Sequence, residues 1–157
     1  SMNDAALELL HRVFVDCEED KEGKYAQYRF FAYVSSMYHK CEILINESIP
    51  GKSGKKHKVP IAVKNNGMYT AIGFNKPTGH AVSKKDIQKF YEIANDVKNG
   101  EHGTQLVDAI FASSAGFKGE AIVELEKLSK MDVSDTEFKL NFKTANFENR
   151  IYSVTKC

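Results

Sequence analysis

Between Gly51 and Ala81 the chain has no aspartate or glutamate. A magnesium site cannot be assembled from that stretch alone, because Mg²⁺ takes hard oxygen ligands. Cysteine is also scarce. Cys17, Cys41 and Cys157 are scattered, odd in number and without a CxxC pair, which argues against zinc and fits a reducing compartment. No apolar run approaches the ~20 residues of a membrane-spanning helix, and the N-terminus has no apolar signal-peptide core. The expectation is an intracellular, cytoplasmic protein (nuclear in a eukaryote) with no membrane partner. Ser1-Met2 reads as a tag-cleavage remnant before a start at Met2. Net charge is nearly absent too: 22 Lys and Arg against 21 Asp and Glu leave +1, too little to steer the whole molecule toward nucleic acid.

What charge there is lies in patches. Asp16 to Glu22 holds five acids and one lysine, whereas Lys52, Lys55, Lys56 and Lys58 crowd into seven residues around His57. Lysine suits contact with phosphate more than bidentate reading of bases. Both runs also fit an ordinary solvated surface. His39, His57, His80 and His102 show no metal-ligand spacing and read as surface residues.

Hydrophobic periodicity orders the elements. Residues 3–16 and 24–39 have helical spacing, the second with Phe30, Phe31, Val34, Met37 and Tyr38 on one face. Residues 41–47 read as a strand and 48–58, with Pro50, Gly51 and Gly54, as a mobile basic loop. Strands at 59–64 and 69–75 flank Asn65-Asn66-Gly67, a hairpin turn. Pro60 inside the first of these calls for an edge, a strand start or a bulge. Ser83 to Asp86 forms a capping box for a helix with Ile87, Phe90, Tyr91, Ala94 and Val97 inward, ending at Asn99-Gly100 with a left-handed cap. Residues 106–112 are a strand buried on both faces. A helix follows at 118–130, with Ala121, Ile122, Leu125 and Leu128 inward, and strands at 137–143 and 150–155 close the chain. The order α-α-β-β-β-α-β-α-β-β predicts one α/β domain over 2–157, a central mixed sheet flanked by helices on both faces. Residues 2–20 would be a helical extension and 131–157 terminal strands.

The segments Val59-Pro-Ile-Ala-Val63, Ile72-Gly-Phe-Asn-Lys76, Val82 to Phe90, and Ala109 to Phe117 with Glu120-Ala121 carry a resemblance. Over residues 24–130 the chain resembles the PD-(D/E)xK superfamily, in particular Mrr-type restriction endonucleases. The resemblance implies a restriction-endonuclease-like fold. It aligns the metal-binding Asp with Pro60, the acid of the ExK motif with Phe74, the lysine with Lys76 and the following polar residue with Gln88. Metal-assisted phosphodiester hydrolysis needs carboxylates to hold the ion that activates water. With Pro60 and Phe74 in those places no catalytic residue is expected, and no cofactor.

Two function classes follow. One is an inactive nuclease-like domain that binds DNA or RNA through Lys52, Lys55, Lys56, Lys58, Lys76, Lys84 and Lys85, near Gln88. The other is an assembly module, a homodimer or partner-binding fold, to which Phe142, Phe147 and Tyr152 could contribute, although core packing fits them better. An active Mg²⁺-dependent nuclease requires a relocated acid, for which Glu47 is the candidate, ahead of Glu42, Asp86 and Glu92.

Overall fold

A computed structural model describes residues 24–76, 79–131 and 139–148. Helix α1 spans Lys24–Met37, and strands β1 (Glu42–Pro50), β2 (Lys56–Asn65) and β3 (Met68–Lys76) follow. Then come α2 (Lys84–Lys98), a 3-10 turn at Glu101–Gly103, β4 (Asp108–Ser113), α3 (Gly119–Ser129) and β5 (Asn141–Asn146). The strands form one sheet in the order β1-β2-β3-β4-β5. The β1–β2 and β2–β3 pairs are antiparallel, while β4 and β5 run parallel to β3. The protein is thus α/β with a mixed sheet, as the alternation of elements predicts.

Each face of the sheet has its own core. On one face Phe30, Phe31 and Val34 of α1 pack with Ile61, Val63, Ala71, Ile110 and Ala112. On the other, Ile87, Phe90, Ala94 and Val97 of α2 and Ala121 and Leu125 of α3 pack with Ala62, Ile72, Ala109 and Phe111. Full burial of each larger apolar side chain is worth roughly 1.5–3 kcal/mol before entropy is counted. All six residues of β4 are buried, because helices cover both its faces. The β3–α2–β4 and β4–α3–β5 crossovers put both helices on the same side.

Local chemistry sets the boundaries. Asn66 (φ 53°) and Gly67 (φ 79°) supply the two positive φ angles of a tight two-residue hairpin. The Ser83–Asp86 capping box closes in both directions, satisfying two otherwise orphaned N–H groups of α2. At the other end of α2, Lys98 is fully buried and its ammonium donates to the Leu106 carbonyl. Burial pushes its pKa down.

Several expectations are corrected. Residues 48–58 are not a long loop: β1 and β2 run through them, leaving only a turn at 51–55. Asn99 ends α2 in the right-handed region at φ −86°, so no left-handed cap forms. Ile122 is exposed at 37%, and Glu124 takes its inward place, 5% exposed, because Gln88 and Lys84 reach its carboxylate. The strand expected at 137–143 is β5, displaced toward the C-terminus. Phe142 packs against the α2-side core and Phe147 is buried on the α1 side, so both take the core role favoured for them over an interface. The helix at 3–16, the strand at 150–155 and Tyr152 lie outside the described residues.

Pro60 explains the shape of the hairpin made by β1 and β2. From Glu42↔Lys64 to Pro50↔Lys56 the β1–β2 ladder pairs every residue except Asn46 with Pro60, and Asn46 has φ 56°. On the turn-distal side of this break, Ile61 and Val63 face α1; beyond it Val59, of the same parity, joins the α2-side core. β1 changes face in the same way, from Ile43 to Ile49. A one-residue phase change moves every later side chain to the opposite face. The β2–β3 register also starts at Ile61↔Gly73, since Pro60 has no N–H to extend it. β2 therefore parts from β3 there, and its first half leans over α2.

Gly73 lies directly under α1: a Cβ on it would come within 2.6 Å of the Phe30 ring, which is fully buried. Gly73→Ala is expected to lower unfolding free energy by about 1–3 kcal/mol, as overpacked cores do. Urea denaturation measures it, and an unchanged midpoint would contradict the seating of α1 on β3.

Candidate functional site

Where β2 parts from β3, a cleft of about 320 Å³ opens. Lys58 and Pro60 of β2, Phe74, Asn75 and Lys76 of β3, Asp86, Lys89 and Ile93 of α2 line it. It lies at the carboxyl end of β3, where open α/β sheets commonly take ligands. Its inner wall is aromatic. The Phe74 ring meets Phe90 edge-on at 5.6 Å between centroids, and Phe90 in turn meets Phe111 at 5.2 Å and Phe142 at 5.6 Å.

Lys76 does not project into the cleft as a free cation. Its ammonium lies 2.6 Å from Asp86 Oδ2 and donates to the Ala81 carbonyl at 3.2 Å. The same Asp86 oxygen accepts the Ser83 backbone N–H at 2.9 Å. Burial would raise the Asp86 carboxyl. The hydrogen bonds from Lys76 and Ser83 together outweigh it and hold the pKa below its usual value.

A second cavity, of about 370 Å³, adjoins the first. Ser53, Lys55, His57, Lys89, Glu92, Ile93 and Asp96 line it, so the two cavities share Lys89 and Ile93. Here the turn at 51–55 is tied to α2. Asp96 accepts from Ser53 N–H at 2.9 Å and from Ser53 Oγ at 2.6 Å, and His57 Nε2 lies 2.6 Å from Oδ2. The Asp96 carbonyl accepts from Lys52 N–H at 2.9 Å. Gly51 makes this approach possible, because a Cβ there would fall 2.0 Å from Asp96 Oδ2. Burial alone would push the Asp96 carboxyl up. The Ser53 and His57 hydrogen bonds overcome that and bring it down to about 2.

The residues assigned from sequence divide between these places. Pro60, Phe74 and Lys76 meet in the first cleft, with Lys58, and Lys55 lines the second. Gln88 does not join them: its Nε2 donates to Glu124 at 2.9 Å on the side of α2 facing α3. Lys84 lies 3.7 Å from the same carboxylate. Lys56 and Lys85 are exposed and, like Lys52, line neither cavity. Glu47 faces Tyr69, whose hydroxyl is 3.4 Å from Oε1, and lines neither cavity. His57 is not a surface residue, since its side chain is 15% exposed against Asp96.

Sequence reasoning missed Lys89, Ile93 and Asp96. Their signal was present in the spacing Asp86, Lys89, Ile93, Asp96, which puts all four on one stripe of α2, beside the apolar stripe.

The donor set fits magnesium poorly. Among the described residues Asp86 is the one carboxylate lining the first cleft, and its Oδ2 is occupied by Lys76 and Ser83. Among the described residues no three His, Cys, Asp or Glu side chains gather. An octahedral, oxygen-rich shell has no framework there.

No family model and no curated protein matches the chain. Among solved structures it is similar to AF1548, a protein of unknown function, with a TM-score of 0.51 at 13% identity. The match covers 74% of this chain and 56% of that one. The chain thus spans little more than half the length of that protein, and the likeness bears on the fold alone.

The tie at Asp96 has a pH signature. A carboxylate whose pKa is depressed by folding stabilises the fold above its unfolded pKa and loses that contribution as pH falls through the folded value. The window here runs from 3.8 down to about 2. Asp96→Asn is expected to lower the urea midpoint at pH 6, with the gap to wild type narrowing as pH falls from 4 toward 2. An equal gap at pH 6 and pH 2 would contradict the assignment.

Proposed function

We propose that this domain binds the sugar–phosphate backbone of DNA or RNA in the cleft between β2, β3 and α2, and does not cut it. The reading treats the fold as restriction-endonuclease-like, of the PD-(D/E)xK superfamily and Mrr type, with its metal-holding acids replaced. One observation carries it. Pro60, Phe74 and Lys76, assigned from separate sequence segments, line a single cleft together with two more lysines, Lys58 and Lys89.

The chemistry supports binding over hydrolysis. Cleavage of a phosphodiester calls for a metal that polarises the phosphoryl group and lowers the pKa of attacking water. Pro60 offers no ligand, and Phe74 offers a ring engaged with Phe90. Lys58 and Lys89 are exposed, and their ammonium groups make no ion pair among the described residues. A phosphate oxygen between them would gain charge-assisted hydrogen bonds. Lysine contacts of this kind hold register without reading bases. Lys76 contributes less while Asp86 holds it.

Fluorescence anisotropy with a labelled oligonucleotide at two salt concentrations tests the reading. Wild type should bind at low salt and weaken steeply as salt rises, because each neutralised phosphate releases counterions. Changing Lys58 and Lys89 together to Ala should cost about tenfold and flatten the salt slope by about 1.4 to 1.8. Absence of binding at low salt would falsify the proposal. Asp86→Asn should act in the opposite direction, tightening binding several-fold as Lys76 loses its carboxylate. Mg²⁺ or Mn²⁺ should leave plasmid DNA uncut.

A further inference from the structure

We infer that the two cavities form one channel for a single nucleic-acid strand, in which Lys55 and Lys89 hold a second backbone phosphate beneath the 51–55 turn. This rests on the phosphate-binding reading of the first cleft and extends it.

The cavities share Lys89 and Ile93, so they adjoin along α2 with only these two side chains common to both. From Asp86 to Asp96 the lining stripe climbs ten residues of α2, about 15 Å at 1.5 Å per residue. A stacked strand advances about 3.4 Å per nucleotide, so that length accommodates roughly four. One side of the channel is α2. The other is the half of β2 that Pro60 turns toward α2, together with the turn that Asp96 fastens down.

Charge along the channel favours an anion. Lys55, Lys58 and Lys89 are exposed and make no ion pair among the described residues. Of the three lining acids among the described residues, Asp86 is bound by Lys76 and Ser83, and Asp96 by Ser53 and His57. Glu92 is exposed to solvent. The cations thus outnumber the uncommitted carboxylate.

Shape selects the strand. Duplexes are read by a helix or ribbon that projects into a groove. These lysines instead line concavities, the arrangement by which a basic channel tracks one backbone.

Anisotropy at low salt with the full chain decides it, using a labelled oligothymidylate of about eight nucleotides and a duplex of the same length. The single strand should bind at least several-fold more tightly. Lys55→Ala should weaken it about three- to tenfold and reduce the salt slope by about 0.7, the increment of one phosphate on a single strand. Lys85→Ala, exposed and outside both cavities, should change neither, and urea midpoints of both variants should match wild type. If Lys58→Ala weakens binding but Lys55→Ala does not, the second phosphate site is wrong while the first cleft stands. Equal or tighter duplex binding, or an equal loss with Lys85→Ala, overturns the single-strand channel. No binding by wild type removes both readings.

Discussion

A missing hydrogen-bond donor organises this molecule. Pro60 has no N–H to give a ladder, and at its position the β2–β3 ladder stops at Ile61↔Gly73 while the β1–β2 ladder skips Asn46 and Pro60, where Asn46 turns to φ 56°. Two results follow from that one gap. The sheet splits open beside Phe74 and Lys76, which creates the first cleft. The hairpin beyond the break also exchanges faces, so that Ile49 and Val59 pack on the α2 side and His57 comes to Asp96. With an unbroken ladder the first half of β2 would stay beside β3, and its lysines would lie apart from α2.

Asp96 then fixes what Pro60 began. Three hydrogen bonds on its carboxylate and one on its carbonyl hold the turn. Withdrawing a carboxylate from water is costly unless its oxygens are satisfied, and this half-buried one is satisfied by Ser53 of the turn and His57 of β2. The contact joins residues about forty positions apart in sequence. The groove walls are therefore set by the folded chain itself, which reduces the ordering a ligand would have to impose.

Much of the architecture was legible because it rests on periodicity. The inward stripe of α2, its capping box, the Asn66-Gly67 turn and the doubly buried β4 all follow from local residue patterns, and the structure has them. The errors have non-local causes. The 51–55 turn looked like part of a long loop because its order comes from Asp96, far away in sequence. Ile122 looked inward because nothing in α3 alone reveals that Gln88 and Lys84 would draw Glu124 under. Lys89 went unremarked because its stripe is polar, and polar stripes read as solvent face until a neighbouring strand is seen to lean over them. Gln88 was assigned to the cleft by alignment, and the rotation of α2 points it to α3 instead.

The aromatic wall of the first cleft carries a consequence for what position 74 can hold. Phe74 is engaged by Phe90, and Phe90 by Phe111 and Phe142. An acid introduced at position 74 would have to ionise among those rings, where loss of water favours the neutral form. It would also leave a void where the ring had been. A carboxylate at that position would thus call for coordinated repacking of neighbours on α2, β4 and β5. Packing partners, more than the residue itself, thus keep charge out of position 74.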